Sequence, residues 1–172
     1  MESRFRTINV RVHKALLDYK IDPPQVMITP KLSPFWVTKT IETILLFSEP
    51  KLTINPLEIQ DIFYTFKEEH NEYQFIYTDG SKIDNRTGAA FVHNNFEQSF
   101  RLPDIASIYT AELNAILAAI RYAINKNFPN TVICSDSRAS IFALSSLNSL
   151  SHPIVSKIKD IINSTEQNFK FL

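Results

Sequence analysis

Between Tyr73 and Leu102 the chain offers three strand-like runs in succession. The runs are Tyr73 to Thr78, Gly88 to His93 and Phe96 to Leu102. The pair Asn94-Asn95 between the last two suits a two-residue hairpin, because Asn tolerates positive φ. After Leu102 the period changes. A helix is expected from about Thr110 to Asn125, with Leu113, Ile116, Leu117, Ile120 and Ile124 on one stripe and Ala111, Ala115, Ala118 and Ala119 small enough for close approach to a sheet. Thr131 to Ser135 reads as the next strand. Asp136 or Ser137 can cap a following helix that carries Ile141, Leu144 and Leu147. Pro153 starts another helix, with Ile154, Val155, Ile158, Ile161 and Ile162, and Asn168 to Leu172 looks like the beginning of a strand. This order predicts an α/β domain whose sheet has three antiparallel strands continued by parallel strands, with helices flanking it.

The first part of the chain is built differently. Six of the nine prolines fall between Pro23 and Pro56, whereas both glycines, Gly80 and Gly88, come later. A short helix is expected within residues 1 to 22, stopped by Pro23-Pro24. Val37 to Phe47 places Val37, Ile41, Ile44 and Leu45 at helical spacing, and Asn55-Pro56 starts a helix through Ile59, Ile62, Phe63 and Phe66. Residues 1–72 are therefore expected to form a proline-punctuated, partly helical connector or arm, and residues 73–172 the compact domain.

Composition narrows the class. In 172 residues, 44% hydrophobic and 21% charged, there is material for one core and a small appendage. No apolar run approaches the ~18 residues of a membrane span, and the single cysteine, Cys134, has no disulfide partner within the chain. An intracellular setting is expected, though no compartment is indicated. The net charge is zero and neither half is basic, so any grip on nucleic acid must come from local patches and bound metal.

Three acids stand in matching settings. Phe75-Ile76-Tyr77-Thr78-Asp79-Gly80-Ser81 reads as a buried strand delivering Asp79 at its C-terminal end. Asp136 follows the strand Val132-Ile133-Cys134-Ser135, and Glu112 is expected in the first turn of the long helix, facing both. Oxygen ligands of this kind suit a hard cation such as Mg²⁺. Each acid alone is explained more simply: Asp79-Gly80 as a turn, Glu112 as a helix-start charge, Asp136 as a cap. Their joint placement is what favours a metal site. His13, His70, His93 and His152 share no zinc-type spacing with one another or with Cys134.

Thr78-Asp79-Gly80-Ser81, Thr110-Ala111-Glu112-Leu113 and Ser135-Asp136-Ser137, in this order and separated by 33 and 24 residues from acid to acid, resemble the ribonuclease H (type 1) domain, specifically that of non-LTR retrotransposon reverse-transcriptase polyproteins. The resemblance covers about residue 73 to the end, and the arm is similar to the connector that precedes such domains. It implies a metal-dependent endonuclease that hydrolyses the RNA strand of RNA/DNA hybrids with two Mg²⁺ or Mn²⁺ ions. Asp79 would bridge both metals, and Glu112 and Asp136 would complete the one on the leaving-group side, Glu112 also lying near the ribose 2′-OH. Gly80, Ser81, Ser137 and Arg138 would face substrate, although turn, capping and solvated roles suit the last three as well. A reverse-transcriptase domain is the implied partner.

The chain also departs from the family. The family's loop His and fourth carboxylate follow its fifth strand, and since the sequence ends at Leu172, inside that strand, the resemblance implies a C-terminally truncated domain expected to lack both. Asp160 and Glu166 come too early to replace the carboxylate. Tyr109 and Thr110 stand where cellular members have Asn before the helix Glu, and no basic handle lies between the later helices. The alternative is a catalytically impaired remnant that binds nucleic acid or a polymerase partner. Other nucleases and phosphatases fit less well: an Asp-x-Glu or Asp-x-Asp motif fails at Ser81, and the order Asp, Asp, Glu fails because Glu112 comes second.

Overall fold

A computed structural model describes residues 39–46, 55–146 and 152–172. Ten elements follow in order: β1 (Glu42–Thr43), α1 (Pro56–Glu69), β2 (Gln74–Ile83), β3 (Arg86–His93), β4 (Phe96–Leu102), α2 (Ile108–Asn125), β5 (Asn130–Ser135), α3 (Arg138–Ser145), α4 (Pro153–Ser164) and β6 (Asn168–Phe171). They build one six-stranded sheet in the order β1-β6-β5-β2-β3-β4. β2, β3 and β4 form an antiparallel meander, and β5, β6 and β1 continue it in parallel. The mixed sheet expected from the sequence is the one observed. The expected helix within residues 1–22 lies outside the described residues, as do His13, Val37, Phe47 and Leu147.

Local chemistry accounts for the element ends. Asn55 caps α1 by accepting from Leu57 N–H at 3.0 Å, and Pro56 occupies the first helical position, where its missing N–H costs nothing. Ser107 caps α2 by accepting from Thr110 N–H at 3.1 Å. His152 caps α4 through Nδ1, which accepts from Ile154 N–H at 3.3 Å. The β3–β4 turn carries Asn94 at φ 51°, the conformation that the Asn-Asn pair allows.

Two apolar layers sandwich the sheet. On one face Ile76, Phe91, Ile133 and Phe171 pack against Leu113, Ile116 and Ile120 of α2 and against Leu144, Val155 and Ile158 of α3 and α4. Each such side chain contributes about 1.5–3 kcal/mol by leaving water. Alanines 111, 115, 119 and 123 are buried at four-residue spacing along α2 and let it lie close to the sheet. On the other face Phe66 of α1 meets Phe75 edge-on at 6.1 Å, with Val132 and Cys134 beneath and Phe63 alongside.

Three expectations are corrected. The described part of Val37–Phe47 is not helical: Glu42–Thr43 is a strand, parallel to β6, with Ile44 N–H donating to Phe171 O at 2.7 Å. β2 does not end at Asp79 but runs on to Ile83, because β3 continues to pair with it after β5 has stopped at Thr78↔Ser135. α2 begins at Ile108, so Glu112 lies one turn inside it, and no acid occupies its first turn.

Candidate metal centre

The site forms where the parallel ladder stops. The last β2–β5 pair is Thr78↔Ser135, so the next residues on the two strands, Asp79 and Asp136, emerge side by side. The buried Thr78 ties the strand ends together, its hydroxyl donating to Cys134 O at 3.1 Å. On the far side of β5, Ser135 N–H donates to Leu172 O at 2.9 Å, which carries the β6 pairing up to the same edge. Asp79 and Asp136 are exposed, whereas Glu112 is buried.

Glu112 reaches the two aspartates from α2 because Gly80 has no side chain. A Cβ at Gly80 would lie 2.6 Å from the backbone N of Glu112 and 2.9 Å from its Cδ. The requirement is close approach and not an unusual backbone, since Gly80 does not have positive φ. The Gly80 N–H also donates to the Glu112 carboxylate. The result is one oxygen from each of Asp79, Glu112 and Asp136, all within 4.8 Å of one another.

This arrangement strains the ionised form of Glu112. Burial, then the neighbouring charges of Asp136 and Asp79, push its carboxyl up to about 7, and only the Gly80 N–H opposes them. Its Oε2 is buried without a hydrogen-bond partner. An unsatisfied buried acceptor costs about 1–3 kcal/mol, and a divalent cation at the cluster would satisfy it. The donor set is entirely carboxylate oxygen, which fits a hard cation such as Mg²⁺ or Mn²⁺.

The remaining sequence candidates are placed as follows. Gly80 and Ser81 continue β2, with Gly80 buried against α2 and Ser81 exposed. Ser137 stands at the start of α3 but makes no capping bond; its hydroxyl shares a 2.8 Å hydrogen bond with Ser140. Arg138 is exposed, its guanidinium 6.0 Å from the Phe142 ring centre. Asp160 and Glu166 are exposed and outside the cluster. Cys134 is buried, which pushes its thiol up to about 12, so it is no nucleophile. His70 and His152 sit at helix ends. Sequence reasoning missed the close approach at Gly80, which is a relation between two segments 32 residues apart. It also missed the exposed Tyr77, which shares a sheet face with Asp79 because the two are two positions apart on β2. No helix among the described residues is long and apolar enough to cross a membrane.

The RNase H family profile matches residues 71–171. Among solved structures, LC11-RNase H1, isolated from compost by a metagenomic approach, superposes with a TM-score of 0.50 at 19% identity, over 59% of this chain and 83% of that one. The same enzyme in complex with an RNA/DNA hybrid gives 0.49 at 18% identity, over 57% and 82%. RNase H1 from the archaeon Halobacterium salinarum gives 0.48 at 17%, over 58% and 83%. No curated protein matches the chain by sequence.

Proposed function

The chain belongs to the RNase H family, and we propose that it hydrolyses the RNA strand of RNA/DNA hybrids endonucleolytically, with divalent cations held by Asp79, Glu112 and Asp136. The observation that carries this reading is the meeting of three carboxylate oxygens within 4.8 Å, one of them on a buried side chain with an unpartnered oxygen. Such cations, when bound, supply charge neutralisation at the scissile phosphate and an acidified water. Asp79, exposed where β2 runs past the end of β5, would be the acid shared by both cations in this reading. Glu112 must lose its proton to serve, which ties binding to pH near 7. The Gly80 N–H holds its carboxylate in place. Glu112 is also the acid nearest the ribose 2′-OH in this reading, where RNA is told from DNA. Gly80, Ser81, Ser137 and Arg138 border the substrate path.

The finer assignment is to a retrotransposon-derived polyprotein. The Thr78-Asp79-Gly80-Ser81 and Thr110-Ala111-Glu112-Leu113 motifs and the proline-rich stretch before Pro56 support it, and a reverse-transcriptase domain is the natural partner.

The test is cleavage of a labelled RNA/DNA hybrid by the full chain with Mg²⁺ or Mn²⁺. The RNA strand should be cut internally, chelation should stop the reaction, and Asp79→Asn should slow it about a thousandfold, since metal stabilisation of a phosphoryl transition state amounts to several kcal/mol. Absence of cleavage at high protein concentration would sink the enzyme reading and leave a hybrid-binding remnant.

A further inference from the structure

The face of the sheet that carries Asp79 is covered by α1 over β2 and β5, and over β2, β3 and β4 it forms a groove of about 470 Å³ that is open among the described residues. The register shows how its floor is made. Asp79 pairs with Ala90, which pairs with Ser99; Ser81 pairs with Gly88, which pairs with Arg101; and Ile83 pairs with Arg86. The middle of the groove therefore has only hydrogen, methyl or hydroxymethyl side chains. At one end stands Asp79, the one acid of the cluster that lines the groove, and at the other Arg86 and Arg101 are diagonal neighbours on the same face.

We propose that this groove receives the RNA backbone running on from the cleavage site, and that Arg86 and Arg101 grip one or two of its phosphates. The inference rests on the hybrid-nuclease reading and adds where this electrically neutral chain holds its polyanion. Charge complementarity selects the occupant: a strand of regularly spaced phosphates is neutralised by cations at Asp79 and by guanidinium groups beyond it. Two strand spacings and two residues separate Asp79 from Arg101, about 12 Å by standard sheet geometry, a few nucleotides along a strand. The small floor allows a sugar-phosphate backbone to lie against the sheet.

Arg101 already pairs with Asp104 at 2.8 Å, but both side chains are more than half exposed. A pair of that kind contributes about 0–1 kcal/mol, too little to keep the guanidinium from a phosphate. Lys82, although close in sequence, takes no part. It faces the other side and donates to Ala106 O at 2.7 Å, holding down the β4–α2 connection.

The experiment is hybrid binding by the full chain, read as fluorescence anisotropy in EDTA so that binding is separated from cleavage, across a salt series. In Arg86→Gln/Arg101→Gln the slope of log affinity against log salt should fall by about 0.7 to 1.8, as one or two lost phosphate contacts require, with about tenfold weaker binding at low salt. With metal, KM should rise and kcat stay. Ser99→Glu, which puts an anion on the floor, should weaken binding independently, and Arg121→Gln on the exposed side of α2 should change nothing. A wild-type slope and KM in both groove variants, with the unaltered chain still cutting hybrid, would overturn the groove alone. An unaltered chain that neither binds nor cuts would overturn the nuclease reading, and the groove with it.

Discussion

Glu112 and His93 are equally buried, each 7% exposed, yet they sit at opposite ends of the sheet in opposite states. His93 ends β3 and is fully accommodated. Its ring nitrogens are 3.1 Å from Gln74 Oε1 and 3.3 Å from the Tyr122 hydroxyl, and the Phe128 ring packs at 4.9 Å. Burial first, and Lys126 second, lower its pKa and so favour the neutral ring. Glu112 has one backbone donor, two neighbouring acids and an oxygen with no partner. Equal burial thus gives a structural residue where polar groups are satisfied and a ligand site where one is left over. The fold places the leftover group where β5 ends and α2 meets β2, so that β2, α2 and the residue following β5 each supply one carboxylate.

The contrast breaks most visibly at Gly80. Gly80→Ala should cost about 3 kcal/mol, because the new methyl meets backbone as well as the Glu112 side chain and little can move aside. Denaturant unfolding would show it, and divalent-metal binding should go with it. The satisfied end should respond differently. His93→Ala should cost about 2 kcal/mol, from the cavity and from Gln74 and Tyr122 left without their partner, while leaving metal affinity unchanged. Loss of metal binding in that variant would erase the distinction between the two ends.

The smallest effect has an unusual sign. Glu112 titrates near 7 in the folded chain and near 4.5 when unfolded. Between these values the folded state keeps a proton that the unfolded state has released, so the metal-free chain loses stability as pH rises through that window. Glu112→Gln should remove this slope. In EDTA at pH 8 it should be the more stable protein by about 1 kcal/mol, measured by thermal or urea unfolding across pH 5 to 8. A wild-type chain whose metal-free stability rises from pH 5 to 8 through this residue would contradict the environment described for Glu112.

Much of this was legible in the residues because the relevant signals are local. The runs around Ile76, Phe91 and Ile133, the apolar stripe of α2 and the Pro56 and Pro153 helix starts each carry their own periodicity or cap. The three acids announced themselves by lying next to such elements. What was not legible depends on partners distant in sequence. Ile41, Ile44 and Leu45 match a helical spacing, but so short a segment is decided by its neighbour, and β6 lies more than 120 residues away. β2 looked finished at Gly80, since nothing local reveals that β3 pairs on to Ile83. α2 starts at Ile108, two residues before the expected Thr110, because Ser107 caps it. Arg86 and Arg101 come together only through the register of β3 and β4.

Glu112 is left unsatisfied for a divalent cation, and calorimetric titration of Mn²⁺ into the full chain at pH 6.5 and pH 7.5 shows whether it takes one. A binding isotherm is expected at both, with more proton release at the lower pH, together with a raised Tm in the loaded protein and loss of both in Glu112→Gln. No binding at millimolar Mn²⁺, or binding of equal strength in Glu112→Gln, would contradict it.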